Sequence, residues 1–172
     1  MFEKLSIPDL DISPCRECPA CKETGECVIR DDTLSVFTKL LQADKIVISS
    51  PNFFYGFPAQ FKALIDRCQA FWVRKHILEL APELPDNRET GGGKPKEAFA
   101  LLLGATGGDD LFTGQLKTIH YFLEPLNARL VGSLLFRKIE ERGDISRHPD
   151  ALAQAFRAGR KFNGQSAVGS GQ

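Results

Sequence analysis

A chain of 172 residues is long enough for one domain with a full core and too short for two ordinary ones. Its 22 basic and 22 acidic side chains cancel, so no global field draws it to nucleic acid or an anionic membrane, and the nearest basic cluster, Arg74-Lys75-His76, does not supply one locally. The opening MFEKLSIPDLDISP has neither the apolar core nor the cleavage site of a signal peptide, and the longest apolar runs are strand-sized, so a cytoplasmic protein that spans no membrane is expected.

The first feature along the chain is CRECPACKETGEC at residues 15–27, with cysteines spaced two, two and five residues apart. Reduced thiols in the cytoplasm suggest a metal site before disulfides. Cys15, Cys18 and Cys21 let one loop wrap a small cage, and Cys27 closes the set after a turn containing glycine. Iron–sulfur clusters use such runs, whereas structural zinc more often uses two separated pairs. Zinc and a disulfide-bonded or empty loop remain alternatives. Pro14 and Pro19 discourage a continuous helix here, leaving backbone amides free to point at sulfur.

Asp31–Ala43 then places Leu34, Phe37, Leu40 and Leu41 on one helical face. Lys45–Ser50 is a short β-branched run closed by Pro51, as expected of a strand buried on both faces. Pro58 opens a helix whose inner side carries Phe61, Leu64, Ile65, Cys68 and Phe71, with Cys68 read as a small buried hydrophobe. Residues 81–96, rich in proline and glycine, form a mobile loop. A second buried strand at Ala98–Gly104 precedes a helix near Leu111–Leu123. A third strand at Leu130–Phe136 precedes a last helix at Pro149–Phe162. The domain spans 1–163, and the small, polar stretch 164–172 is expected to be disordered.

Strands alternating with helices imply an α/β fold with a parallel sheet, whose ligands sit beyond the carboxyl ends of the strands. Two loops occupy that position. The first, Pro51-Asn52-Phe53-Phe54-Tyr55-Gly56, offers aromatics that can cover a planar ring, with Gly56 allowing close backbone approach. Its amides can donate to a ring nitrogen and set its potential. The second, Gly104-Ala105-Thr106-Gly107-Gly108, exposes backbone at a strand end, a weak signal alone. Histidines 76, 120 and 148 stand beside no nucleophile, so no hydrolase constellation is read and no catalytic residue is assigned.

Together these stretches, PCRECPACKETGECVIRDDT, SSPNFFYGFPAQFKALIDR and GATGGDD, resemble the iron–sulfur flavoproteins of the flavodoxin-like, NADPH-dependent FMN reductase superfamily. The resemblance runs from about Asp11 to Phe162. It implies a flavodoxin-like three-layer sandwich, a [4Fe-4S] cluster on Cys15, Cys18, Cys21 and Cys27, and FMN against residues 51–56 and 104–108. One departure stands out: the strand and the S-x-R-x-x-S/G-N loop that grip the FMN phosphate have no counterpart. MFEKLSI looks like the second strand of the family, so the fold is expected to be shortened at its N-terminus and FMN binding to be weak or absent.

The expectation is a redox flavoprotein passing electrons between FMN and a [4Fe-4S] cluster, with NAD(P)H, a protein or a quinone as the other participant. The alternative is a degenerate flavodoxin-like module that binds metal or a partner without flavin catalysis. An interrupted sheet and the aromatic helix bearing Phe71 and Trp72 suggest a homo-oligomer with Trp72 in its interface.

Overall fold

The computed structural model describes residues 2–80 and 95–164. A 3-10 turn at Ile7–Asp9 comes first, then α1 (Ala20–Thr24), α2 (Thr33–Gln42), β1 (Lys45–Pro51), α3 (Ala59–Arg67) and α4 (Gln69–His76). After these come β2 (Lys96–Leu103), α5 (Thr113–Leu123), a 3-10 turn at Glu124–Leu126, β3 (Ala128–Phe136), α6 (Asp144–Arg147) and α7 (Ala151–Gly164). The strands form one parallel sheet in the order β1-β2-β3. Helices cover both faces, giving the flavodoxin-like α/β sandwich.

The centre of that sandwich is β2, where Ala98, Ala100 and Leu102 are wholly buried. Small alanines in the middle strand let helices approach closely. Ile46 and Ile48 of β1 extend the same face, and Val36, Phe37 and Leu41 of α2, Leu64 of α3, and Ile119, Phe122 and Leu123 of α5 close over it. Each such aliphatic or aromatic side chain contributes about 1.5–3 kcal/mol by leaving water. On the other face α7 lays Ala155, Ala158, Gly159 and Phe162 across Val47, Phe99 and Leu101, and the Phe99 and Phe162 rings lie 5.8 Å apart.

Two local devices adjust this frame. The β2–β3 register slips between Ala98 and Phe99, so Ala98 pairs with Leu130 and Phe99 with Gly132. The Phe99 ring then lies over Gly132, where a Cβ would come within 2.6 Å of it. Lys96 turns its amine inward to donate to the last carbonyls of α2, those of Leu40 at 3.1 Å and Leu41 at 2.6 Å. These carbonyls have no partner within the helix, and a cation there also suits its dipole.

Several sequence expectations need correction. Residues 2–6 form no strand, and the segment ends in the turn at Ile7–Asp9. Leu5, Ile7, Leu10 and Ile12 pack on the core from outside the sheet instead; apolar burial, available without a ladder partner, decides its conformation. β1 is not buried on both faces, because Val47, Ser49 and Pro51 are exposed while Ile46, Ile48 and Ser50 are covered. Among the described residues it pairs only with β2, so it has the alternating exposure of an edge strand. Leu34 is half exposed; the buried face of α2 runs through Thr33, Val36, Phe37 and Leu41. The helix opened by Pro58 is broken at Cys68 into α3 and α4. Strands β2 and β3 each begin two residues before the expected start, and α7 runs to Gly164. The loop expected at 81–96 lies outside the described residues except for Pro95 and Lys96, as does the tail beyond Gly164.

Candidate functional site

The cysteine loop is a separate structure bound to the ends of α3 and α4. Pro19 precedes the short helix α1, which carries Cys21, and the chain leaves it at Gly25 with a left-handed φ of 71°. A Cβ at Gly25 would also sit 3.1 Å from Cβ of Arg74 on α4. Only glycine accepts both conditions cheaply. Cys15 and Cys18 are exposed, Cys21 and Cys27 are half-buried, and Cys68 is buried within the core. All four loop cysteines line one cavity, whose floor is made by Val28, Ile29, Arg67, Gln69 and Ala70.

One ion pair closes this loop. Arg67 at the end of α3 and Asp31 just before α2 both have side chains only 2% exposed, with Nη1 and Oδ2 at 2.8 Å. Arg67 also donates through Nη1 to the Ser13 carbonyl, through Nη2 to the Ile29 carbonyl and through Nε to Cys27 Sγ at 3.1 Å. Asp31 accepts the backbone amides of Ser13 and Thr33. Burial works against the Asp31 carboxylate, but the Arg67 guanidinium and these amides outweigh it and bring its pKa from 3.8 down to about 2. Burial likewise opposes the Arg67 charge, and Asp31 and Cys27 more than restore it.

Among the described residues, no group of three or more His, Cys, Asp or Glu side chains is arranged to hold a metal ion. The chemistry of the donor set nevertheless fits a thiolate-bound centre. The Cys21 thiol is pushed up by burial and then by repulsion from Cys27, Cys15 and Cys18. Thiolates gathered around one cavity would be stabilised by cationic iron or zinc held between them.

The second locus lies beyond the carboxyl ends of the strands. Asn52 N donates to the Leu103 carbonyl and Gly104 N to the Phe136 carbonyl, continuing the ladder past the strands. Phe53 and Gly56 exchange both backbone hydrogen bonds across a tight turn, and Asn52 Oδ1 accepts the Tyr55 amide. That turn holds Phe54 and Tyr55 at positive φ, 52° and 63°. These conformations cost bulky residues free energy, and strain of this kind collects at binding sites. Phe53, Phe54 and Tyr55 are all exposed. The amides of Phe53, Tyr55 and Gly56 are thus already engaged, while those of Phe54 and of Ala105, Thr106, Gly107, Gly108 and Asp109 have no partner among the described residues. Ring-sized aromatic cover and free donors fit a planar, acceptor-bearing cofactor such as a flavin.

These two loops are locked together. Asn52 Nδ2 donates to the Leu111 carbonyl and to Gln115 Oε1, both at 2.8 Å, and Gln115 Nε2 donates to the Pro51 carbonyl. Gly114 lies so close to the Tyr55 carbonyl that a Cβ would approach it to 2.7 Å. At Gly104 a Cβ would strike Leu111 at 2.6 Å. Arg137, just past β3, donates to the Gly108 and Asp109 carbonyls and holds the far side of the second loop. The structure therefore brings residues 51–56 beside 104–108, and brings the four cysteines together at a different place. The nine residues of α3 join the two loci, about 13 Å of helix.

Sequence reading missed Arg67, Gln115 and Gly114. A signal for Arg67 existed: it sits on the apolar face of its helix, between Leu64 and Cys68, where a charge needs a buried partner. Gln115 and Gly114 had no comparable signal, because their partners are 50 or more residues away along the chain.

Residues 2–111 match the NADPH-dependent FMN reductase family. An iron–sulfur flavoprotein of Methanocaldococcus jannaschii is 43% identical over 65 residues, covering 38% of this chain and 34% of that protein. One from Archaeoglobus fulgidus is 32% identical over 108 residues, 61% of this chain and 53% of that protein. The matches thus span about a third to a half of the length of these curated relatives. Among solved structures, a flavone reductase superimposes with a TM-score of 0.62 at 19% identity, over 92% of this chain and 49% of that one. The apo form of an NADH:FMN oxidoreductase does so with a TM-score of 0.54 at 16% identity, over 97% and 72%. These two likenesses concern the fold. The family match covers well over half of the sequence, and the chain belongs to the NADPH-dependent FMN reductase family.

Proposed function

We propose that this protein is an FMN-dependent oxidoreductase that also carries a [4Fe-4S] cluster, exchanging electrons with NAD(P)H or a redox partner protein in the cytoplasm. The observation that carries the reading is the set of four cysteines around one cavity, in a chain whose ring-sized aromatic loop and glycine loop are tied together beyond the sheet. In this reading Cys15, Cys18, Cys21 and Cys27 hold the cluster. Residues 51–56 and 104–108 flank the flavin, with Phe53, Phe54 and Tyr55 excluding water from its ring. The amides of Phe54 and of residues 105–109 are available to orient its polar edge.

When bound, FMN exchanges two electrons and the cluster one at a time; the protein supplies ligands, orientation and a drier surrounding. Asn52 and Gln115 keep the aromatic loop in its strained turn. Arg67 and Asp31 keep the cysteine loop closed on the far end of α3. Among the described residues no helix is long and apolar enough to cross a membrane, in keeping with a redox partner met in solution. The domain would comprise residues 1–163. Trp72, exposed on α4 with its ring 5.2 Å from that of His76, would lie in a homo-oligomer interface, and sedimentation showing only monomer at micromolar concentration would contradict that assembly.

The visible spectrum of anaerobically purified protein tests the central reading, with iron, sulfide and flavin quantified on the same sample. Broad brown absorption with about four irons per chain is expected, with resolved flavin bands appearing once excess FMN is supplied. A colourless protein containing zinc would support a metal-binding interaction module in its place.

A further inference from the structure

We propose that Arg67 is a positioning residue for the metal centre: it fastens both ends of the cysteine loop to α3 and, through its Nε–H bond to Cys27 Sγ, makes the centre easier to reduce. This rests on the iron–sulfur reading above.

A guanidinium offers five N–H groups, and each one of Arg67 has an acceptor. Four go to oxygen: the Ser13 and Ile29 carbonyls and the two oxygens of Asp31. Ser13 precedes the first cysteine and Ile29 follows the last, so one side chain holds the entry and exit strands of the loop together. The fifth goes to sulfur, at 3.1 Å. A guanidinium needed only to close the loop has no reason to be turned with its remaining donor on a cysteine.

The charges make that last contact specific. Asp31 neutralises Arg67 at 2.8 Å, with both side chains almost fully buried, so the pair carries little net charge toward the cavity. What reaches the sulfur is the directed Nε–H dipole. Hydrogen bonds to ligand sulfur stabilise the more electron-rich state of a cluster and raise its potential. Arg67 is also the last residue of the helix that starts at the aromatic loop. One rigid element therefore carries the group that sets the ease of reduction at one end and the proposed flavin cover at the other.

The test compares wild type, Arg67→Lys and Asp31→Asn as purified under anaerobic conditions, measuring iron content and the midpoint potential of the cluster by mediated titration. Lysine keeps the charge for Asp31 but has no Nε–H fork for Cys27. Arg67→Lys with wild-type iron content and a more negative potential is the expected result. Asp31→Asn leaves the Nε–H bond and removes the compensating charge, so its potential moves the opposite way. If Arg67→Lys proves insoluble, Arg67→Gln, which likewise lacks the guanidinium Nε–H donor to Cys27, is measured in its place. An unchanged potential in a fully loaded Arg67→Lys protein, or a negative shift in Asp31→Asn, overturns the proposal while leaving the cluster reading intact. A wild type that takes up no iron overturns both.

Discussion

Gln115, wholly buried, holds Asn52 from behind: its Oε1 accepts from Asn52 Nδ2 at 2.8 Å while its Nε2 donates to the Pro51 carbonyl. The pair anchors the root of the strained aromatic turn to the first turns of α5. Replacing Gln115 by leucine keeps the volume and leaves the Pro51 carbonyl without this donor and one Asn52 proton without its acceptor. Leaving buried polar groups unpaired costs about 1–3 kcal/mol. We expect Gln115→Leu to lower stability by that amount in urea unfolding and to weaken FMN binding, read by flavin fluorescence. Unchanged stability would show the pair to be dispensable.

Gly114 tests the same coupling from the other side. Its missing Cβ is what lets the Tyr55 carbonyl come so close, and that neighbour is backbone, which cannot swing aside. Gly114→Ala is expected to cost about 1–3 kcal/mol, as other overpacking changes do, and to displace residues 51–56. Gly159 on α7 is the control, since nothing lies within 4 Å of its added Cβ. Gly159→Ala is expected to stabilise by about 0.5–1 kcal/mol, because alanine is the better helix former. Thermal melts of the two variants should move in opposite directions.

How legible was all this in the sequence? The order of elements was readable because apolar spacing reports local periodicity, and β2 is central enough to show it plainly. The two loops and the four cysteines were readable because composition alone marks them. The exposure of β1 was not, since KIVISS reads the same whether one or two sheet neighbours are present. Nor was the strand expected at MFEKLSI avoidable on pattern alone: Leu5 and Ile7 do become partly covered, but by packing outside the sheet, while Phe2 stays exposed. What sequence could not show at all is the lock between distant segments, namely Arg67 with Asp31 and Cys27, and Gln115 with Pro51 and Asn52. Such pairings follow from where the sheet places its loops.

The five cysteines should separate cleanly in reactivity. Cys15 and Cys18 are exposed and Cys21 and Cys27 half-buried, whereas Cys68 is 4% exposed and its burial pushes its thiol up. Thiolate is the reactive form, so Cys68 lacks both access and charge. Metal-free native protein treated with iodoacetamide and mapped by peptide mass spectrometry should be labelled at the four loop positions and spared at Cys68. Cys68 should react only after denaturant is added. Labelling of Cys68 at the rate of Cys15 would mean that the core between α3 and α4 opens readily. Protection of the four loop cysteines in iron-loaded protein would tie them directly to the metal.

The buried pair also sets a pH dependence whose sign can be stated. Asp31 titrates at 3.8 when free and at about 2 in the fold, so the folded state favours the charged carboxylate. A carboxyl depressed in this way contributes stability that is fully present above about pH 4 and is lost as pH falls from there to about 2. The size is about 2 kcal/mol, from a shift of somewhat under two units at about 1.4 kcal/mol each. Glu124 and Asp144 are also depressed, so acid destabilises the protein through several groups at once, and the Asp31 share must be isolated by difference. Asp31→Asn removes its titration and leaves the others. Urea unfolding of metal-free wild type and Asp31→Asn, run from pH 6 to pH 2, should show a stability gap that is constant above about pH 4 and narrows by about 2 kcal/mol below it. A gap that stays constant down to pH 2 would mean that Asp31 keeps an ordinary carboxyl pKa in the fold, and that the ion pair closing the cysteine loop is far weaker than its 2.8 Å geometry implies.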